Sequence, residues 1–383
     1  MILYCIAGII AGIFTGLIPG LHTNNIALML VASPLFGMEF AAFLLSMSIV
    51  HTFVDFIPTV FIGAPGADTF EGVLPAHRLF LKGQAFEAVG LTVFGGMIAL
   101  VGSLLFVPLF FVFIEKNSEG IVFLTPFILI FALIVLIGTE KKKVVATFII
   151  FSAALYGIVF SGQIFPLITG FFGIPTVLFS LKESPGGIFQ EGNFVLKKEM
   201  FKEGLIGIIG GAVVSVIPGI GNNVAASIIK IFRGKIESKN YLVLLGSINT
   251  SNFFFSFATL LALSKARNGV MLALQEKLVF SPNLLLVGMG IMVFAGSLGA
   301  VITLILSKRA TSFFSIYRIK IISIVSIIIM VGMVFLFNGF YGLLALFFST
   351  GLGLFVLTKK VKRSCCMASL IAPTILFYVF FLI

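Results

Sequence analysis

Two short stretches, IPGLHTNNIA at Ile18–Ala27 and IPGIGNNVA at Ile217–Ala225, are almost alike although they lie about 200 residues apart. Each interrupts an apolar segment of the chain. Proline lacks a backbone N–H and glycine is conformationally loose, so neither stretch can continue a helix smoothly. Interrupted helices at matching positions of two halves are typical of the binding site of a membrane transporter.

The composition places the whole chain in a membrane. Hydrophobic residues make up 60% of the 383 residues and charged residues 10%, and the mean hydropathy is +1.22. Apolar runs of about 17 to 25 residues recur along the chain, which is the length that a spanning helix needs. These values exclude a soluble globular domain. The net charge of +11 comes from basic residues dispersed between the apolar runs, so we expect no nucleic-acid partner.

The basic residues predict the orientation of the spans. We predict ten crossings and two hairpins, 2–35 and 204–230, that enter the membrane and return. The crossings are predicted at 40–62, 88–114, 121–138, 144–160, 163–181, 241–264, 282–306, 316–337, 340–358 and 365–382. All 25 Lys and Arg residues then lie on one side except Lys116, Lys265, Arg267 and Lys277. The positive-inside rule makes that side cytoplasmic and places both termini outside the cell membrane.

The repeated loop predicts an all-α membrane protein built from two repeats. The first repeat covers 1–181, a cytoplasmic linker covers 182–203, and the second repeat covers 204–383. Five crossings in the first repeat make the second start on the opposite face, so we predict inverted topology. The two re-entrant hairpins then approach each other near the middle of the membrane.

The two loops carry the predicted substrate site. It comprises Pro19, Gly20, His22, Thr23, Asn24 and Asn25 in the first loop and Pro218, Gly219, Gly221, Asn222 and Asn223 in the second. Free amides at the start of the half-helix that follows each loop suit an anion, and the helix dipole adds to them. The alternative is that the asparagines only cap a kinked helix.

Polar residues after the second loop extend this site. Asn249 and Asn252 lie in a span that should be apolar, so we expect them to line a cavity. Lys265 and Arg267 lie on the side with few basic residues, where they can hold an anionic substrate as it enters. Alternatively, they are interfacial charges that reach the lipid headgroups.

Ionisable residues within the first repeat are candidates for binding the coupling ion. His51 and Asp55 share one helix face inside an apolar span, and Asp68 follows that span in a loop rich in Gly and Pro. Such residues are costly in a membrane and usually functional, so we expect H⁺ on a carboxylate or Na⁺ at loop carbonyls. His51 and Asp55 can also simply bond to each other. We predict no catalytic residue, metal site or cofactor, because the histidines form no His-Glu-x2-His motif.

Several short motifs resemble one known family. They are Gly-x3-Gly-Leu-Ile-Pro-Gly at 12–20, Pro65-Gly66 with Pro75, Lys82-Gly83-Gln84-Ala85 before Gly90, the second Ile-Pro-Gly-x-Gly loop, and Met367 with Pro373-Thr374-Ile375-Leu376. In these the chain resembles the large permease subunit of the tripartite tricarboxylate transporters, in particular their shorter archaeal-type members. The resemblance implies ion-driven uptake of a solute such as a carboxylate. It also implies an extracytoplasmic binding protein and a small membrane subunit as partners.

Other functions stay open at this point. The main prediction is an ion-coupled secondary transporter for a small anionic solute. A flippase for an anionic polyprenyl-phosphate lipid is the alternative, since the same loops can bind a phosphate headgroup. A metal-free intramembrane enzyme that uses Asp55 and Asp68 is a third reading, and a homodimer is an open alternative for the assembly.

Overall fold

The computed structural model describes residues 1–18, 21–63, 69–182, 190–191, 193, 195–217, 221–234, 236–278, 283–313 and 316–381. All regular secondary structure in these ranges is helical, which confirms the prediction of an all-α protein. The helices of the first half are α1 (Ile2–Leu17), α2 (Thr23–Leu30), α3 (Gly37–Val54), α4 (Phe56–Phe61), α5 (Val73–Phe80), α6 (Ala85–Lys116), α7 (Ser118–Gly138), α8 (Lys143–Val159), α9 (Ile164–Ile168) and α10 (Ile174–Lys182). Those of the second half are α11 (Lys198–Val216), α12 (Asn222–Arg233), α13 (Ser238–Leu263), α14 (Gly269–Lys277), α15 (Leu284–Phe313), α16 (Ile316–Lys359) and α17 (Ala368–Phe381).

Seven helices in the described part of the chain are long and apolar enough to cross a membrane, so this is a multi-pass membrane protein. They fall at the predicted crossings except 144–160 and 163–181, which correspond to shorter apolar helices. The predicted crossings 316–337 and 340–358 both lie within α16, whose regular geometry is broken at Gly339. Gly339 has a φ of 61°, a left-handed conformation that glycine adopts without steric cost.

The two central helices, α3 and α13, are almost completely buried. Helix α3 ends beside Asp55, and the chain continues as α4 with Pro58 in its first turn. A proline clashes with the carbonyl four residues earlier, which accounts for the break in the helix at this point. Thr59 Oγ1 donates a hydrogen bond to the Asp55 carbonyl at 2.9 Å. Helix α13 contains no proline and runs unbroken.

The same packing arrangement occurs in both halves. Helix α1 packs on α3, and α11 packs on α13. A Cβ at Gly8 would collide with the Phe43 carbonyl and reach Ser46, while a Cβ at Gly207 would meet the Leu244 carbonyl and Ser247. Small residues allow membrane helices to approach this closely. Gly8 and Gly207 are 199 positions apart, and the residues of α3 and α13 that they approach are 201 positions apart. Each position of α3 therefore corresponds to the position of α13 that lies 201 residues later.

Candidate functional site

A cavity of about 840 Å³ lies between the two halves, within the size range of small-molecule sites. It is lined from both interrupted loops, both central helices, the segment before α14, the α8–α9 connection and α17. The predicted site residues that line it are His22, Thr23, Asn24, His51, Gly221, Asn222, Asn249, Asn252 and Arg267. The structure therefore brings residues of the two predicted loops to one cavity.

Equivalent positions of α3 and α13 face the cavity. Ser48, His51 and Thr52 line it from α3, and Asn249, Asn252 and Phe253 line it from α13. Each of these pairs is separated by the 201 positions that relate the two helices. Positions three and four apart share one helix face, so each helix lines the cavity with a single stripe of its surface. The hydroxyl groups of Thr52 and Thr250 lie 3.3 Å apart where the helices meet.

A chain of side-chain amides joins the second loop to the first half. Asn222 Nδ2 donates to Asn249 Oδ1 at 2.9 Å. Asn249 Nδ2 donates to the Thr52 carbonyl at 3.2 Å and to Asp55 Oδ2 at 3.2 Å. Asp55 is 4% exposed and lies behind the cavity wall. These three side chains, Asn222, Asn249 and Asp55, are called the amide relay below.

His51 connects Asp55 to α1. Its Nε2 lies 3.9 Å from Asp55 Oδ2, and its Nδ1 lies 3.1 Å from Thr15 Oγ1. The ring of His22 lies edge-on to that of His51, with the centroids 5.2 Å apart. His22 Nδ1 also accepts a hydrogen bond from the Asn24 backbone N–H at the start of α2. His51 and Asp55 thus lie close together, as their spacing of four residues predicts, and both also contact other elements.

Two loop asparagines make reciprocal contacts between the halves. Asn24 Oδ1 accepts from the Val270 N–H at 3.2 Å, and Asn223 Oδ1 accepts from the Glu71 N–H at 3.1 Å. Asn24 and Asn223 are 199 positions apart, and so are Glu71 and Val270. A two-fold relation between the halves produces such pairs of contacts, in which each half contributes the side chain once and the backbone N–H once.

Four polar side chains in the cavity wall hold buried atoms that have no hydrogen-bond partner in the described part of the chain. They are the Nε and Nη2 atoms of Arg267, Oδ1 of Asn222, Oγ of Ser48 and Oδ1 of Asn338. An unpaired buried polar atom costs about 1–3 kcal/mol, and more when it is charged. Such atoms in the wall of a cavity are candidates for contacts with a bound ligand.

The model of the tripartite tricarboxylate transporter TctA family matches residues 2–368. The chain belongs to this family. An uncharacterized protein of Methanocaldococcus jannaschii is 33% identical to it over 290 residues, which cover 72% of each chain. No solved structure matches the chain. Membership of the TctA family confirms the resemblance seen in the sequence and identifies the protein as a component of a solute transporter.

The remaining predicted residues of this TctA family member either fall outside the described part of the chain or do not line the cavity. Pro19, Gly20, Pro218, Gly219 and Asp68 fall outside the described residues, as does the side chain of Asn25. Asn223 is buried and bonds to Glu71 away from the cavity lining. Lys265 is exposed and does not line the cavity. No cluster of three metal-binding side chains occurs among the described residues.

Sequence reasoning missed Ser48 and Asn338, which line the cavity with unpaired buried oxygens. Ser48 lies three residues before His51, so helical spacing could have found it once the face of His51 was known. Asn338 lies next to the Gly339 break, between two predicted crossings, and gave no comparable signal.

Proposed function

We propose that this protein is an ion-coupled secondary transporter for a small anionic solute that carries a carboxylate group. The observation that carries the proposal is Arg267, whose Nε and Nη2 atoms are buried in the wall of the cavity without partners among the described residues. These two atoms form one edge of the guanidinium group, and this edge matches the two oxygens of a carboxylate.

The charge of the cavity agrees with an anionic solute. Among the described lining residues, Arg267 is the one Lys or Arg, and none is Asp or Glu. The buried Nε and Nη2 atoms of Arg267 have no counter-ion among the described residues, which is unfavourable, and an incoming anion would compensate them. Each charge-assisted hydrogen bond contributes about 1.5–3 kcal/mol, so this edge alone can supply much of the affinity.

The arrangement of the halves supports inverted repeats, 1–181 and 204–383, joined by the linker 182–203. The reciprocal contacts of Asn24 and Asn223 and the equivalent stripes of α3 and α13 agree with a two-fold relation. With the predicted orientation, Arg267, Asn338 and Gly162 belong to outer connections. The cavity that they line would then open to the outside, where an extracytoplasmic binding protein can deliver the solute and where both termini lie.

The coupling ion would act beside this cavity. The buried pair of His51 and Asp55, with Nε2 and Oδ2 3.9 Å apart, is a candidate proton site, and Asp68 is a second candidate carboxylate. Loop carbonyls next to Asn24 and Asn222 are candidate Na⁺ ligands. Uptake into proteoliposomes under a Na⁺ gradient alone and under a pH gradient alone distinguishes these ions.

A matched pair of variants tests the anion site. Arg267→Gln and Lys265→Gln each remove one positive charge from the same segment, but only Arg267 lines the cavity. We expect Arg267→Gln to raise the KM for carboxylate uptake by about ten- to a hundredfold and Lys265→Gln to change it by less than about twofold. Equal effects of the two variants would mean that the charges act only through the surface potential, and the proposal would be wrong.

The same experiment addresses the lipid alternative, because a phosphate headgroup also binds arginine. A flippase for polyprenyl phosphate would transport no water-soluble carboxylate, and Arg267→Gln would impair lipid translocation instead. Carboxylate uptake by the purified protein, with or without the binding protein and the small subunit, excludes that alternative.

A further inference from the structure

The amide relay fixes the orientation of Asn222. At Asn249, Nδ2 faces the Thr52 carbonyl and the Asp55 carboxylate. The Thr52 carbonyl only accepts hydrogen bonds, and so does the Asp55 carboxylate while it is ionised, so the amide of Asn249 must be oriented this way. Its Oδ1 consequently faces Asn222, which has to present Nδ2 to it.

The other end of the Asn222 amide is therefore its oxygen. This Oδ1 atom is buried, belongs to a residue of the cavity wall and has no partner in the described part of the chain. Asn222 itself is 1% exposed, so the atom cannot be satisfied by bulk solvent. An oxygen in this position is an acceptor that calls for a donor on the ligand.

We infer that Asn222 is a specificity-determining residue that selects carboxylates carrying a hydroxyl group, and that Asp55 is a positioning residue that holds Asn222 in this orientation through Asn249. The inference rests on the proposed function, since Arg267 binds the carboxylate of the same ligand. Ser48 Oγ, a hydroxyl group in the same wall, supplies a further donor to the carboxylate group of the ligand.

A hydroxyl group fits this acceptor better than an ammonium group. An ammonium group on the ligand would need an anionic partner in the cavity wall. The described lining residues include no Asp or Glu, and Asp55 lies behind the wall with Asn249 between it and Asn222. A hydroxyl group adds a donor without adding a charge. The cavity is therefore suited to hydroxycarboxylates rather than to amino acids.

The test compares ligands of equal charge that differ only in the hydroxyl group. Binding of lactate and propionate, and of malate and succinate, is measured by calorimetry on the purified full chain in nanodiscs. We expect the hydroxylated member of at least one pair to bind about tenfold more tightly, as one hydrogen bond to a buried acceptor predicts. Alanine should bind no better than propionate. Equal affinity within both pairs, or alanine binding as tightly as lactate, would overturn the inference.

Three variants separate the roles of the residues. Asn222→Leu removes the acceptor and should weaken the binding of only the hydroxylated ligand. The ratio of the affinities of the hydroxylated and unhydroxylated ligands should therefore fall to about one. Asp55→Asn lets residue 55 offer either an acceptor or a donor to Asn249, so the ratio should fall to about threefold or less. Ser48→Ala is the control in the same wall and should shift both members of a pair together.

The outcomes also distinguish this inference from the proposed function. If no carboxylate binds and Arg267→Gln changes nothing, the anion site itself is wrong. If carboxylates bind through Arg267 but Asn222→Leu leaves the ratio unchanged, only the selection by Asn222 is wrong. If Asn222→Leu abolishes the ratio and Asp55→Asn preserves it, Asp55 does not position Asn222.

Discussion

Replacement of Asn249 by leucine tests the amide relay as a structural unit. Leucine keeps roughly the size of asparagine but removes the partners of Asn222 Nδ2, the Thr52 carbonyl and Asp55. Each of the two neutral groups left unpaired costs about 1–3 kcal/mol, and the carboxylate costs more because burial disfavours an uncompensated charge. Since protonation of Asp55 can relieve part of this cost, we expect a total loss of about 3–5 kcal/mol.

Unfolding of the detergent-solubilised protein by a denaturing detergent measures this loss. The double replacement of Asp55 by Asn and Asn249 by Asp keeps one carboxylate next to two amides, although residue 249 then no longer donates to the Thr52 carbonyl. It should recover part of the stability lost in Asn249→Asp alone, which sets two carboxylates side by side, and a double-mutant cycle isolates the coupling. The reasoning would be refuted if Asn249→Leu cost less than about 1 kcal/mol, or if the two exchanged residues behaved additively.

The topology and the packing of the halves give two further predictions. Cysteines introduced at 141–143 and 359–363 should be labelled only from the cytoplasmic side and one at Asn117 only from outside, and labelling of 141–143 from outside would contradict the inverted repeats. Gly207→Ala should lower stability by about 1–3 kcal/mol because its Cβ meets Ser247, whereas Gly351→Ala, with nothing within 4 Å, should be neutral or stabilising. Equal stability of the two glycine variants would remove the argument for close packing of α11 on α13.

Much of the architecture could be predicted because it depends on patterns within short segments. Apolar runs of spanning length predict the membrane helices, and the repeated Pro-Gly and Asn-Asn residues indicate two related loops. The cavity lined by Asn24 and Asn222 lies where those loops suggest. The role of Lys265 could not be separated from that of Arg267, because both lie within four residues of the end of α13. Only the path of the chain shows which of them enters the wall.

The orientation of Asn222 could not be predicted, because it depends on residues that are distant in the sequence. Asn249 lies 194 residues from Asp55, and only their contact in space determines which end of the Asn222 amide faces the cavity. The interruption of the helix at Asp55 was also hidden, although Pro58 carries the signal. Local chemistry is visible in the sequence, whereas hydrogen-bond direction across a helix interface is a property of the packed structure.

The two halves share a scaffold but differ at the positions that carry chemistry. At the spacing of 201 that relates α3 to α13, His51 corresponds to Asn252 and Asp55 to Ser256, and both pairs interact across one helical turn. The first half thus holds two titratable groups where the second holds two neutral ones. In transporters built from inverted repeats, the binding site can open to each side of the membrane in turn. When the titratable groups lie in only one half, binding of an ion there can favour one of the two orientations. The first half is therefore where ion coupling should act, and the second half, with Asn222 and Arg267, is where the solute should be recognised.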